Sequence, residues 1–275
     1  MTASGGEAAA WGLEGHRIVT VEAARRLPPD LAEFFAGESA ALVELSLVPD
    51  TRLRQDDPAE RPRHYINVEE YDEPPFEQIP REREKAEARY GKKAMDRSGT
   101  LPWRILDVFR DLRSAMRNGK SDAIVQSAGY LAHYVADLFQ PLHTTSNFDG
   151  RATCNHGIHE AFESEMISRR AGEYRRAVER GASSVTELRH PAESLFDWMR
   201  ESRRLVNELL AADTAAIKAL KSARRDYYDS MDRKAGPIAE RQMSAAANAL
   251  ASLWYTAWID AGRPELPRPA ATAPR

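Results

Sequence analysis

The sequence predicts an all-α protein folded as a single helical domain. Apolar residues recur at helical spacing over most of the chain, period-2 alternation is almost absent, and no internal repeat or low-complexity interior interrupts the pattern. At 275 residues, 42% of them hydrophobic, the chain can bury a sizeable core in one large domain.

Residues 1–10, MTASGGEAAA, have neither a basic n-region nor an apolar h-region. Ala8-Ala9-Ala10 before Trp11 resembles the small-residue end of a cleaved export signal. That points to a secreted or periplasmic protein whose signal peptide has been removed or replaced, the alternative being a flexible natural N-terminus. Helical spacing covers 14–27, 29–43, 101–118, 121–139, 157–180, 191–211, 213–230 and 236–260, and a charged stretch at 81–93 can join them. Within 121–139, Ile124, Val125, Ala128, Leu131, Ala132, Val135 and Leu138 share one face, and Pro141 ends the helix because its ring cannot continue the hydrogen-bond ladder. Residues 45–80 carry Pro49, Pro58, Pro62, Pro74, Pro75 and Pro80 and read as a long irregular excursion, which in a compact domain is usually functional or disordered. The proline-rich stretch 263–275 reads as a disordered tail, leaving 11–262 as the domain.

Composition removes several function classes. A formal net charge of −3 argues against bulk electrostatic capture of a polyanion, so any nucleic-acid or phospholipid binding must be local, through bound cations. The single cysteine, Cys154, excludes an intramolecular disulfide. No run of 18 apolar residues is present to serve as a transmembrane segment.

The chemistry-bearing residues begin with His133 and Asp137 in HYVAD, whose spacing of four puts both on one helical face. Gln126 and Tyr130 extend that polar stripe. Taken alone, a hydrogen-bonded His–Asp pair explains it better than a metal does. The neighbours favour a metal. His143 follows in QPLH, and His159 and Glu163 in GIHEAFE repeat the same spacing on the next helix, so two pairs can face each other across a bundle core. His156 could reach this face, or serve as a surface residue. The excursion adds Asp50 and His64, and the front of the chain adds His16. Imidazole and carboxylate suit zinc in hydrolytic sites, and five of the seven histidines fall in this set.

In order, WGLEGH, Asp50, HYIN, HYVADLFQPLH and GIHEAFE make the chain, from Trp11 to about Ala261, resemble the S1/P1 nuclease and zinc-dependent phospholipase C superfamily. The resemblance implies an all-α fold with a cleft holding three zinc ions, so that 11–262 would be a zinc-dependent hydrolase domain. One zinc would take Asp50, His64, His133 and Asp137. A second would take the α-amino group and carbonyl of Trp11, His16 and a shared Asp137. The third would take His143, His159 and Glu163. Asp50 and Asp137 are then the residues expected in the chemistry itself. In the family that tryptophan begins the mature protein; here ten residues precede it, and an amide nitrogen is no substitute for an amine.

Substrate signals point two ways. HYIN resembles the nuclease branch, in which Tyr65 would stack on a base and Asn67 would read its edge; nucleases usually carry Asp at the second position. Glu163, where nucleases commonly have Asp, resembles the phospholipase branch. Tyr65 also reads as an ordinary half-buried aromatic. Arg52 and Arg54 could clamp a phosphate oxygen, or be solvated loop charges. The resulting expectation is a zinc-dependent phosphodiester hydrolase, foremost an S1/P1-type nuclease acting on single-stranded nucleic acid and 3′-nucleotides. A phospholipase C acting on phospholipid head groups is the alternative enzyme. A helical binding or structural protein, with His–carboxylate pairs as hydrogen-bond networks and no stoichiometric zinc, is the alternative class. Trp254, Tyr255 and Trp258 read as core packing on the last helix rather than a lipid-insertion patch.

Overall fold

The structure, a computed structural model, describes residues 11–223 and 226–267; segment 1–10 and most of the expected tail lie outside the described residues. Among the described residues all regular structure is helical. Helix α1 (Gly12–Arg25) starts at a left-handed Gly12, φ 49°, where a Cβ would sit 3.0 Å from Ser164 Oγ; the absent side chain lets α1 dock there. Next comes α2 (Pro29–Gly37), opened by a proline that needs no N–H partner, and then α3 (Ser39–Val48).

The expected excursion over 45–80 starts later than its prolines suggest. The chain stays helical through a π turn, Pro49–Leu53, into α4 (Arg54–Asp56). Pro49 has no N–H to give, and the helix passes it by widening: the Arg54 N–H reaches the Pro49 carbonyl, five residues back. The irregular reading holds for 57–80, whose only helical turns are the 3₁₀ segments Arg61–His64 and Val68–Glu70.

The charged stretch forms α5 (Arg83–Tyr90) and α6 (Lys92–Ser98), divided by Gly91 at φ 80°. Helices α7 (Leu101–Arg117) and α8 (Ser121–Leu138) follow, and Pro141 opens a 3₁₀ turn, Pro141–Thr144. The expected 157–180 helix is divided. It comprises α9 (Ile158–Glu160), a π turn Ala161–Met166, α10 (Ile167–Arg169) and, after a break at Arg170, α11 (Ala171–Arg180). The last three are α12 (Pro191–Arg204), α13 (Val206–Ala223) and α14 (Tyr227–Asp260). The break expected near 211 falls at Leu205, and α14 begins at Tyr227 rather than 236, running through Pro237. An interior proline costs a helix about 3 kcal/mol; here Gly236, Ile238 and Ala239 are buried around it, and that packing offsets the loss.

Helix α8 is the centre, packed on α3 and α7 and touching α1 and α14. Its apolar face, Ile124, Ala128, Leu131, Ala132, Val135 and Leu138, is buried. Fully burying a Leu or Ile gains about 1.5–3 kcal/mol, whereas an uncompensated buried charge costs more than that, so the polar stripe of α8 needs partners. At Gly129 a Cβ would fall 2.4 Å from Leu45 Cβ, so glycine lets α3 come close enough to supply one. Trp254 is core as expected, its indole N–H donating to the Ala128 carbonyl (3.3 Å). Of the proline-rich end, Pro264 and Leu266 reach the core: Trp258 donates to the Pro264 carbonyl (2.9 Å), and Leu266 packs alongside. No helix among the described residues is long and apolar enough to cross a membrane.

Candidate metal centre

The two π turns and α8 bring the predicted ligand residues together. Helix α1 contributes His16, the turn after α3 Asp50, the Arg61–His64 turn His64, and α8 both His133 and Asp137. His143 stands on the Pro141–Thr144 turn, His159 on α9, and Glu163 on the second π turn. Their ligand atoms form three sets, each within 4.8 Å: His16, His133 and Asp137; Asp50, His64 and His133, sharing His133 with the first; and, separately, His143, His159 and Glu163.

Asp137 is fully buried and faces two ways. Its Oδ2 lies 3.1 Å from His64 Nδ1 and 3.4 Å from His133 Nε2, while its Oδ1 lies 3.5 Å from His16 Nε2. Asp50 closes the first side, 3.4 Å from His64 Nδ1 and 3.9 Å from His133 Nε2. In the third set, Glu163 Oε2 lies 2.8 Å from His159 Nε2 and 3.6 Å from His143 Nε2.

Main-chain acceptors aim the rings. His133 Nδ1 donates to the Ser46 carbonyl (2.8 Å), the approach that Gly129 permits, and His143 Nδ1 donates to the His64 carbonyl (2.5 Å). Each bond leaves Nε2 with its lone pair toward the cluster. Gln140, fully buried, accepts from the Leu142 N–H and is thereby turned to donate to Glu163 Oε2 (2.8 Å).

Burial raises the Asp137 carboxyl, but His133 and His64 outweigh it and hold the acid well below the usual range. Glu163 is lowered to about 2, burial being overcome by His159 and His143. Burial and the neighbouring His133 lower His16 to about 3, leaving it neutral with a free lone pair. Burial lowers His64 too, but hydrogen bonding to Asp137 and Glu60 prevails and lifts it to about 9. Anionic carboxylates thus face imidazoles in a dry core.

The arrangement fits divalent cations. Several buried atoms of the set have no hydrogen-bond partner: both nitrogens of His16, Asp50 Oδ2, His64 Nε2, Asp137 Oδ1 and Glu163 Oε1. Buried polar atoms are nearly always satisfied, so such a concentration marks a site built for something else to bind. Nitrogen and oxygen without sulfur are ligands that zinc accepts.

The remaining predicted residues lie at the edge. The Trp11 side chain is buried, with its indole N–H on the Ala136 carbonyl (2.8 Å), beside Asp137. The Trp11 carbonyl already accepts from the Gly15 N–H (2.9 Å), leaving one lone pair for any cation. Arg54 Nη1 reaches Asp50 Oδ1 (3.4 Å), while Arg52 is exposed. Tyr65 and Asn67 are half-buried; the Tyr65 hydroxyl donates to the Arg97 carbonyl (3.2 Å) and the Asn67 N–H to the Ser98 carbonyl (2.7 Å). His156 is exposed and 3.5 Å from Asp149, outside the three sets.

Sequence reasoning missed Glu60, Tyr134, Gln140 and Phe148. Phe148 is 48% exposed, with its ring 5.6 Å from that of His159. Glu60 carried one signal, its place four residues before His64.

Comparison with known proteins agrees with the cluster. A protein of Bradyrhizobium tropiciagri named as a probable serine protease is 24% identical over 196 residues, which cover 62% of this chain and 25% of that protein. This chain therefore matches about a quarter of that relative's length, and the name describes the relative. The S1/P1 Nuclease family model matches residues 11–257, a span that contains every candidate ligand residue from His16 to Glu163, and the chain belongs to that family.

Proposed function

We propose that the protein is a zinc-dependent phosphodiester hydrolase that holds three zinc ions and acts on single-stranded nucleic acid and 3′-nucleotides. Family membership supports a metal-dependent hydrolase of phosphodiesters. The observation that carries the metal reading is Asp137, whose two oxygens face His64 on one side and His16 on the other; the nucleic-acid reading rests on family membership.

Asp50, His64 and His133, with Asp137, would hold one ion; His16, Asp137 and the backbone of Trp11 a second; His143, His159 and Glu163 a third. Bound zinc would supply Lewis acidity, polarising phosphate oxygens and making water a nucleophile at neutral pH. The protein's own groups do the rest. Asp50 Oδ2, buried without a partner, can accept a proton or face an ion. Arg54, 3.4 Å from Asp50, can swing to a phosphate oxygen. Tyr65 and Asn67, beyond His64 on the same segment, would take the base.

The Trp11 amine becomes a ligand if the chain is cut before Trp11, as in an exported protein that loses its signal. Trp11 sits at φ 49°, a conformation unfavourable for a bulky residue that follows another. A chain starting at Trp11 has no φ there, and that cost disappears.

Glu163 favours a second reading, a phospholipase C using the same ligands on a phospholipid head group. Rates measured in parallel on single-stranded DNA, RNA, 3′-nucleotides and phosphatidylcholine micelles with zinc present decide between them. Activity confined to the micelles would overturn the nuclease reading. A protein holding no zinc and inert on all four would be a structural helical protein.

A further inference from the structure

Glu60 is a buried carboxylate that none of the three ligand sets uses. It is 1% exposed and precedes the Arg61–His64 turn. Its Oε1 accepts a short hydrogen bond from the Tyr134 hydroxyl and lies 3.5 Å from His64 Nε2; its Oε2 accepts from Arg63 Nη1 at 2.5 Å. The Arg104 guanidinium lies 5.0 Å over the Tyr134 ring. Burying an acid among so many fixed groups is costly unless its charge is used.

His64 shows where that charge goes. His133 and His143 turn Nδ1 to a main-chain carbonyl and point Nε2 at the cluster. His64 is turned the other way. Its Nδ1 faces Asp137 and Asp50, and its Nε2, buried and without a hydrogen-bond partner at ordinary geometry, faces Glu60. Behind this imidazole stands a full negative charge instead of a carbonyl dipole.

We infer that Glu60 is a positioning residue for the Asp50–His64–His133 site. It receives the His64 Nε2–H, fixes the tautomer whose Nδ1 lone pair faces the ion, and strengthens that imidazole as a ligand. The proton stays on Nε2 throughout. Tyr134 and Arg63 hold the carboxylate in place. This rests on the reading that a cation occupies the set.

The test uses the full chain as wild type, Glu60→Gln, Glu60→Ala and Tyr134→Phe, loaded with zinc. Zinc content, ion-by-ion affinity by chelator competition, and ¹⁵N NMR of the histidines are the readouts. Glu60→Gln keeps an acceptor but loses the charge; it should bind one ion about 10–100-fold more weakly, the usual effect of losing a group behind a ligand. Glu60→Ala should lose that ion at the same zinc concentration. Tyr134→Phe should fall between Glu60→Gln and wild type. The His143–His159–Glu163 ion should keep wild-type affinity throughout. In the loaded wild type, His64 should be protonated at Nε2 and metal-shifted at Nδ1. Should Glu60→Ala fail to fold, Glu60→Gln carries the comparison. A lowered melting temperature of the metal-free variants with unchanged ion affinity would make Glu60 merely structural and overturn the inference. Equal weakening of all ions, or His64 bound through Nε2, would overturn it too. A wild type that holds no zinc would overturn the functional reading with it, whereas Glu60 fails alone only in a fully loaded wild type.

Discussion

Around Asp137 the ligand atoms come from residues spread between His16 and Asp137, on α1, a π turn, a 3₁₀ turn and α8. Around Glu163 they come from one short stretch, 143–163. The first set is the more sealed: His16, His64, His133 and Asp137 are at most 2% exposed, and the Asp50 side chain is 5% exposed. The second is nearer the surface, with the His159 side chain 13% exposed and Phe148 beside it. The distributed set draws on four separate elements and shares a carboxylate. The local set shares no residue with the distributed one. Substitutions in the two sets should therefore differ in kind.

The largest effect is expected at the shared carboxylate. Asp137→Asn removes the charge from both sides, so two zinc ions should go and phosphodiesterase activity should fall by more than the ~100-fold typical of losing a group behind a ligand. His159→Ala should release one ion and lower activity less. Metal analysis showing one ion lost from each variant, with equal activity, would mean that Asp137 does not bridge.

The N-terminus sharpens the same contrast, because only the sealed set has a place for it. A form starting at Trp11 should hold one more zinc than the form starting at Met1 and hydrolyse phosphodiesters faster. An α-amine has an ordinary pKa near 8, low enough for zinc to displace its proton at neutral pH. Full-length protein with three tightly held ions and an undiminished rate would show that the amine is dispensable. Glu14, partly exposed and paired with Arg17 at 2.5 Å, would then be the first side chain to test as its substitute.

Protons compete with zinc at the sealed set. His64 in the metal-free protein is lifted from 6.5 to about 9, so its stabilisation of that form is complete below about pH 6.5 and lost as pH rises through 9. Zinc at Nδ1 must displace that proton. Affinity should therefore rise between pH 6.5 and 9, and calorimetry in two buffers of different ionisation enthalpy should show proton release at pH 7.5. Glu163, lowered from 4.5 to about 2, works oppositely: its stabilisation is present above pH 4.5 and is lost as pH falls through 2. An affinity that is flat from pH 6.5 to 9 would contradict the charged His64.

The two regions were not equally legible in the sequence. His133–Asp137 and His159–Glu163 announce themselves by a spacing of four, because helix geometry alone puts such residues on one face. All-α architecture followed from the same periodicity. Asp50 was legible as a residue but not as a place: the prolines of 45–80 suggested a loop, whereas a π turn at Pro49 keeps the helix going and carries Asp50 to the cluster. Pro49 marks the position but not the outcome, since a proline can end a helix as well as be passed by a π turn. Gln140 and Tyr134 were illegible for a related reason. Their partners, Glu163 and Glu60, are joined to them only by the fold.

The smallest expected effect concerns Tyr65, which decides whether the rim serves a base. Its position is fixed from one side: the hydroxyl is held by the Arg97 carbonyl, and at Gly99 a Cβ would lie 2.6 Å from Tyr65 Cδ2. Burial pushes the phenol pKa up, so the ring is neutral at neutral pH. A stacked base on such a platform is worth about 1–3 kcal/mol. Tyr65→Ala should thus weaken single-stranded DNA and 3′-nucleotides roughly 5- to 150-fold. A small phosphodiester without a base should be hydrolysed almost as before. Tyr65→Phe should retain most of the preference, losing one exposed hydrogen bond of about 1 kcal/mol or less. Kinetics on both substrate types separate stacking from packing. Equal losses on the two would mean that the ring only fills space against Gly99, and base recognition would have to come from elsewhere, with exposed Phe148 beside His159 the next ring to substitute.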